Sequence, residues 1–325
     1  MNIAFSTDNN YLQYCLIAIC SICENNKGEE LNFYILNKNL SDSNKALLND
    51  FLKKYEKVSV QYLQVQESDI KDLPIGRSDQ INKYVSIETY FRLFLANLLP
   101  ESVEKIIYLD CDIIVRKSLL DLWNVDLTGK AIAGITDSST YKVSTYNRLR
   151  YNPKIGYFNG GVLVLNLKYW RENNCFNEFM DFIKNYPERI IWHDQDVLNY
   201  VLRNNKIHLP FEFNLQDELL NPEEETTMLY TDFEAMYKAG KDPVIIHYSS
   251  RRKPWFVECD SPYKNEYFKY RALTPFKNAQ LLKRKLNKKR NHQKISFILQ
   301  SLRCSTTNSS KKIQSRICAK IGINK

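Results

Sequence analysis

The sequence predicts an α/β fold, a sheet flanked by helices, on three observations. Short β-branched and apolar runs alternate with longer helical patterns through the first 250 or so residues. The chain opens strand–turn–helix, with residues 2–5 apolar, 6–10 polar and 11–24 mostly apolar. Residues 105–116, Lys-Ile-Ile-Tyr-Leu-Asp-Cys-Asp-Ile-Ile-Val-Arg, read as a strand buried on both faces and interrupted by Asp110 and Asp112.

The remaining elements follow in order. Residues 31–36 and 58–65 are the second and third strands, separated by a helix at 41–55 whose apolar stripe is Ala46, Leu47, Leu48, Phe51 and Leu52. A polar stretch with Pro74 and Gly76 leads to an aromatic-rich helix at 86–99, ended by Pro100. After residues 105–116 come a turn of helix at 119–123, a strand at 131–135 and a tyrosine-rich loop region at 136–157. A strand at 162–167 opens on Tyr157-Phe158-Asn159-Gly160-Gly161, and a helix spans 168–185. His193-Asp194-Gln195-Asp196 precedes an apolar helix at 197–202, and 244–246 is a last buried strand ending in His247.

A 325-residue chain that is 44% hydrophobic can bury a sizeable core, as one large domain or as one plus an appendage. From residue 264 on, 17 Lys and Arg face one acid, Glu266, so a mildly acidic body carries a strongly basic tail. Cys20 and Cys23 have zinc-like spacing, but no second pair matches them and their run is apolar, which makes them small core residues. No secreted disulfide framework is evident among the eight cysteines. No basic segment precedes the first apolar stretch, and no 18-residue apolar run is free of polar breaks, so neither a signal peptide nor a membrane span is expected. A reducing, cytoplasmic setting is the expectation.

Chemistry concentrates at a few positions. In extended chain Asp110 and Asp112 point the same way, and two buried carboxylates need a partner. They are either loop aspartates or oxygen ligands of a hard divalent cation completed by phosphate oxygens. With 18 Asp in the chain an Asp-x-Asp triplet is a chance event, and Asp194-Gln195-Asp196 is a second one; the apolar strand sets the first apart. Asp8 and Asn10 stand where ligands collect beyond strand ends, and both can equally cap the helix that follows. Arg92, among Tyr90, Phe91 and Phe94, needs an anion, either an internal Asp or a diphosphate. The paired glycines allow a close backbone approach to a ligand, or a bulge. His247 with two Asp can make an N,O site for Mn²⁺ or Mg²⁺, and a lone His after a strand is also a common structural residue. Walker-type phosphate loops and Ser–His–Asp elbows are absent from the sequence.

In chain order, Ile3-Ala4-Phe5-Ser6-Thr7-Asp8, residues 86–93, Tyr108-Leu109-Asp110-Cys111-Asp112, Phe158-Asn159-Gly160-Gly161, Asp194-Gln195-Asp196, and His247-Tyr248 with Lys253-Pro254-Trp255 resemble glycosyltransferase family 8. That family includes the bacterial lipopolysaccharide galactosyl- and glucosyltransferases and the glycogenins. The resemblance covers about residues 1–260 and implies a GT-A domain, a Rossmann-like mixed sheet flanked by helices. It implies a hexosyltransferase that moves galactose or glucose from a UDP-sugar with retention of configuration. Asp110, Asp112 and His247 are then the Mn²⁺ ligands, with Mg²⁺ as the other candidate ion. Ser6, Thr7, Asp8 and Asn10 line the uridine pocket, Tyr84 and Val85 supply another nucleotide contact, and Cys111 lies within the nucleotide-sugar site. Arg92, Asn159, Gly160, Asp194 and Gln195 contact the sugar, with Asp194 and Gln195 nearest the chemistry, and Lys253 contacts the diphosphate. One departure is Ser249-Ser250, where the family often has Gly; the Ser250 backbone N–H remains available to phosphate, but a positive φ would be strained.

Retention requires a carboxylate nucleophile or same-face attack by the acceptor. Gln195 is a poor nucleophile, which favours same-face attack with Gln195 as a positioning dipole. Residues 261–325 read as a basic, partly helical appendage. Within it, residues 281–290 carry six cations with Leu281, Leu282 and Leu286, followed by Ile295, Phe297, Ile298 and Leu302. That pattern suits docking on an anionic membrane surface, here the inner face of the cell membrane, near a glycan or glycolipid acceptor such as lipopolysaccharide core. Nucleic acid is not expected as a partner. The alternative from another class is a catalytically inactive, transferase-like binding protein whose basic tail binds nucleic acid.

Overall fold

The computed structural model describes residues 1–71, 73–74, 87–217, 219–220, 230–251 and 253–283. Its first half builds one layer of sheet. β1 (Asn2–Ser6), β2 (Leu31–Asn37) and β3 (Val58–Gln64) run parallel, linked by α1 (Leu12–Asn25) and α2 (Asp42–Leu52). Asp8 shapes the turn that leads into α1 by accepting from the Asn10 and Tyr11 amides at 2.9 and 2.7 Å, and Ser41 Oγ accepts from the Asn44 amide at the start of α2. A one-turn α3 (Glu67–Ile70) follows. The expected helix at 86–99 is a 3₁₀ helix over Ile87–Phe94 that passes into α4 (Leu95–Leu98). It is tighter than the sequence suggests, and it buries Arg92 among aromatic rings.

The run around Asp110 is not one strand. β4 (Lys105–Leu109) joins the main sheet, whereas β5 (Ile113–Val115) belongs to another sheet, and Asp110-Cys111-Asp112 turns between them. Two apolar runs three residues apart look continuous in sequence, and periodicity cannot reveal the turn. Next come α5 (Leu120–Trp123), β6 (Ile132–Thr136), α6 (Val143–Leu149), β7 (Phe158–Asn166), α7 (Leu167–Glu172), α8 (Cys175–Asn185), α9 (His193–Val201) and β8 (Lys206–Leu209). The 136–157 region, expected as loop outside the core, holds α6 and two 3₁₀ turns and buries Tyr146, Leu149 and Tyr157. Helix 168–185 is split at Asn174, which takes a left-handed φ of 51°. The chain continues through β9 (Leu215–Gln216), α10 (Tyr230–Lys241), β10 (Ile245–His247) and α11 (Lys264–Arg271).

The main sheet is mixed, with strand order β3-β2-β1-β4-β7-β6-β8, and β7 lies antiparallel to both β4 and β6. β1 shows how the two layers form. Ile3 and Phe5 enter the core beneath α1, whereas Ala4 faces the core built by the 3₁₀ helix, α7, α8 and α9. A three-stranded sheet, β5-β10-β9, abuts the carboxyl end of β4. α11 lies against α1, where the Asn25 amide donates to the Tyr270 hydroxyl at 2.7 Å. Cys20 and Cys23 are buried in the same core, and burial pushes the Cys20 thiol up to about 11. Among the described residues no helix is long and apolar enough to cross a membrane.

Candidate active site

The site lies at the seam between the two sheets. The Asp110 amide donates to Gly161 O at 2.8 Å, which extends the β4–β7 ladder by one residue and fixes Asp110 at its end. The Tyr248 amide donates to Asp112 O at 2.9 Å, which ties the other side of the turn to the end of β10. Asp110, Asp112 and His247 thereby converge, with one ligand atom from each lying within 4.8 Å of the others. His247 Nε2 is 3.3 Å from Asp112 Oδ1 and 4.0 Å from Asp110 Oδ2. Both carboxylates do point to one place, but through a turn and not through extended chain.

Which nitrogen His247 offers follows from its partners. Asn214 Nδ2 donates to Asn159 Oδ1 at 3.0 Å, so Asn214 Oδ1 accepts from His247 Nδ1 at 3.0 Å. Nε2 is then the lone-pair nitrogen, and it faces two carboxylates. That arrangement suits a cation, and an imidazole with two carboxylate oxygens is a donor set for Mn²⁺ or Mg²⁺. The relay continues outward, because Asn159 Nδ2 donates to Asp137 Oδ2 at 2.9 Å and the Gly161 amide donates to Asn159 Oδ1 at 2.9 Å. Burial opposes charge on His247, but Asp112 and Asp110 outweigh it and raise its pKa. Burial likewise opposes ionisation of Asp112. The Lys253 ammonium and His247 prevail and hold its carboxyl well below the usual range.

A second charged group sits beside the first. Arg92, 4% exposed, places Nη2 3.0 Å from Asp110 Oδ1 and Nε 2.8 Å from Asp194 Oδ2, donates Nη1 to Gly160 O, and stacks 4.0 Å from the Tyr108 ring centroid. Its anions are thus the two internal aspartates. Asp194 is buried in the first turn of α9, where Thr89 Oγ1 donates to its Oδ1 at 2.5 Å and its Oδ2 pairs with the Arg92 guanidinium. Burial, reinforced by the nearby Asp110, pushes the Asp194 carboxyl up to about 6 against the pull of Arg92 and Thr89. Gln195 is fixed by the Gly160 amide, which donates to its Oε1 at 2.7 Å. α9 begins at His193, so Asp194 and Gln195 sit in its first turn.

Lys253 donates to Asp112 Oδ2 and to Tyr248 O. Ser6 ends β1 and Thr7, Asp8 and Asn10 follow it, and Cys111 Sγ donates to Ser6 O at 3.2 Å, which joins them to the Asp-Cys-Asp turn. Tyr11 meets the Trp255 ring edge-on at 5.8 Å, and Tyr14 stacks on Trp255 at 3.7 Å. Tyr84 and Val85 lie outside the described residues. Ser250 departs from expectation, since its backbone N–H is donated to Asp217 Oδ1 at 2.8 Å. Asn214, Asp217 and Asp137 carry no signal in the sequence. Each is a single polar residue outside any motif, and only its burial marks it.

Residues 2–259 match the family described as Glycosyl transferase family 8. The Escherichia coli lipopolysaccharide 1,2-glucosyltransferase is 27% identical over 302 residues, covering 92% of this chain and 85% of that protein. The Salmonella typhimurium lipopolysaccharide 1,3-galactosyltransferase is 26% identical over 287 residues, 86% of this chain and 80% of that protein. A crystal structure of the galactosyltransferase LgtC with donor and acceptor sugar analogues has the same fold, with a TM-score of 0.74 at 24% identity over 85% of this chain and 96% of that one. With its mixed GT-A sheet and the Asp110–Asp112–His247 group at the end of β4, the chain belongs to glycosyltransferase family 8 and is a hexosyltransferase.

Proposed function

We propose that the chain transfers galactose or glucose from a UDP-sugar to a glycan of the lipopolysaccharide or lipooligosaccharide core, with retention of configuration and Mn²⁺ as the preferred ion. The observation that carries this reading is the convergence of a cation-binding group, Asp110, Asp112 and His247, with Lys253 on one side and the Arg92–Asp194–Gln195 cluster on the other. The lipopolysaccharide transferases among its relatives support the acceptor class. A divalent ion held by Asp110, Asp112 and His247 would supply charge stabilisation to a departing diphosphate. Lys253 is placed to meet the same anion. Ser6, Thr7, Asp8, Asn10 and Cys111, with Tyr84 and Val85, would receive the nucleotide.

On the sugar side, Asp194 Oδ2 is a buried carboxylate oxygen paired with Arg92, and its remaining lone pair suits a hexose hydroxyl. Gly160 adjoins the same cluster through Arg92 and Gln195, and Asn159, its neighbour in β7, would be a further sugar contact. Asp194 is held by Arg92 and Thr89 and is poorly placed to serve as a nucleophile. The Gln195 amide, oriented by Gly160, supports same-face attack with Gln195 as a fixed dipole.

Screening UDP-sugars for Mn²⁺-dependent UDP release tests the donor, and NMR of the product anomer tests retention. Full activity in excess chelator, or an inverted product, would overturn the reading. Absence of turnover with every UDP-sugar would favour the inactive, binding-protein alternative. The domain division at 260 and the membrane role of the basic segment belong to the same proposal. Most of that segment, from Arg284 on, lies outside the described residues. Removing residues from about 280 onward is expected to leave UDP-sugar hydrolysis intact and abolish binding to anionic vesicles. A truncated chain that still pellets with such vesicles at low salt would remove the membrane role.

A further inference from the structure

The turn that carries Lys253 is built around a carboxylate that no motif announces. Asp217, 7% exposed, follows β9, and its backbone N–H donates to His247 O at 3.0 Å. Its side chain reaches past Tyr248 to the next two residues. Oδ1 accepts from the Ser250 amide at 2.8 Å and from Ser249 Oγ at 3.3 Å, and Oδ2 accepts from Ser250 Oγ at 3.0 Å. One residue thus grips the chain on both sides of Tyr248. Three residues on, Lys253 closes the turn onto Asp112 and Tyr248 O.

This arrangement accounts for serines in place of glycine. Among the described residues, the non-glycine positions with positive φ are Lys57, Arg150, Asn174 and His193, so Ser249 and Ser250 follow a path open to any L-residue. A glycine turn would be shaped by backbone freedom. Here the shape is imposed by hydrogen bonds to a buried carboxylate, which retains its partners because burying it without them would be costly.

We propose that Asp217 is the positioning residue of the diphosphate turn, holding Ser249 and Ser250 so that the Lys253 ammonium is delivered beside Asp112. The inference rests on the nucleotide-sugar reading above and names the residue that sets the reach of its diphosphate contact. Asp217 acts through Lys253 and does not touch the donor. Its loss should therefore appear in nucleotide affinity and donor KM, and in kcat only as far as Lys253 stabilises the departing diphosphate.

The test is calorimetric binding of UDP in the presence of Mn²⁺ to the full chain, with KM and kcat measured in parallel. Asp217→Ala should weaken UDP about 10-fold and raise donor KM to match, with any fall in kcat no larger than that of Lys253→Ala. Asp217→Asn retains a carbonyl for the Ser250 amide and should restore affinity to within about 3-fold of wild type. In a Lys253→Ala background, Asp217→Ala should have almost no further effect, because the two act in series. If Asp217→Ala fails to fold, Ser249→Ala/Ser250→Ala, which removes two of the three donors, should still weaken UDP by about 3-fold. Wild-type affinity in Asp217→Ala, or in the double serine variant where Asp217→Ala does not fold, overturns the inference. So does an equal loss with and without Lys253. A wild-type chain that binds no UDP removes the nucleotide reading and this inference with it, whereas wild-type binding with an unaffected Asp217→Ala removes the inference alone.

Discussion

Gly161 lies so close to His247 that a Cβ on it would stand 2.3 Å from the imidazole Cε1 and 2.8 Å from Asp110 Oδ2. The imidazole cannot swing away, because its Nδ1 is tied to Asn214 and its ring is buried. The second glycine of the pair is thus required by the cation-binding group itself. Gly161→Ala should lower turnover by about 10²-fold or more, with a stability cost of about 1–3 kcal/mol from overpacking. Steady-state rates and a thermal melt check it; an alanine variant with wild-type rates would mean that the group tolerates displacement.

Asn214 orients His247 while bonding Asn159, so its removal should loosen a ligand without deleting one. Asn214→Ala is expected to raise the metal concentration for half-maximal activity by about 10- to 100-fold while saturating metal restores much of the rate. A metal titration of both proteins decides the matter. An unchanged midpoint would assign Asn214 to packing.

How much of this was legible in the sequence depends on whether a residue's role is written in spacing. Asp110 and Asp112, the Gly160–Gly161 pair, Asp194–Gln195 and His247–Lys253 fall in short motifs, and the structure brings their side chains or backbone to one seam. The turn between β4 and β5 was hidden because Leu109 and Ile113 are equally apolar. The small sheet was only partly visible because β9 has two residues and β10 three, too few to show alternation. Arg92 had two possible anions in the sequence, and Asp110 and Asp194 became its partners only when the 3₁₀ helix packed against the ends of β4 and α9. Asn214 and Asp217 gain meaning solely from what they touch.

In the proposed mechanism Gln195 and Asp194 divide the sugar side between them. Gln195→Ala should leave measurable activity and an unchanged product anomer, since the glutamine orients and does not bond covalently. Asp194→Asn should cost more, about 10²-fold, because it removes the ionised acceptor that faces Arg92 and leaves that guanidinium with fewer anions. Mass spectrometry of enzyme quenched during turnover separates the mechanisms. A glycosyl adduct on Asp194 would replace same-face attack by double displacement.

Lys206 makes a prediction about stability that is independent of the chemistry. Its ammonium donates to Gly156 O at 2.6 Å and lies 5.3 Å from the Phe158 ring centroid, and burial pulls its pKa down to about 7. In the unfolded chain the same group titrates near 10.4, as an ordinary lysine does. Between those values the unfolded state binds more protons than the folded one, so this group's contribution to stability rises with pH across the window. The penalty is fully present below about pH 7 and fades toward pH 10. Lys206→Met keeps the apolar stem and removes the charge. It should stabilise the protein at pH 6 by on the order of 1–2 kcal/mol, net of the lost hydrogen bond, and the gain should shrink or reverse by pH 9.5. Paired thermal or denaturant melts of the two proteins at both pH values test this. Equal destabilisation at pH 6 and 9.5 would show that the folded protein accepts the Lys206 charge without penalty.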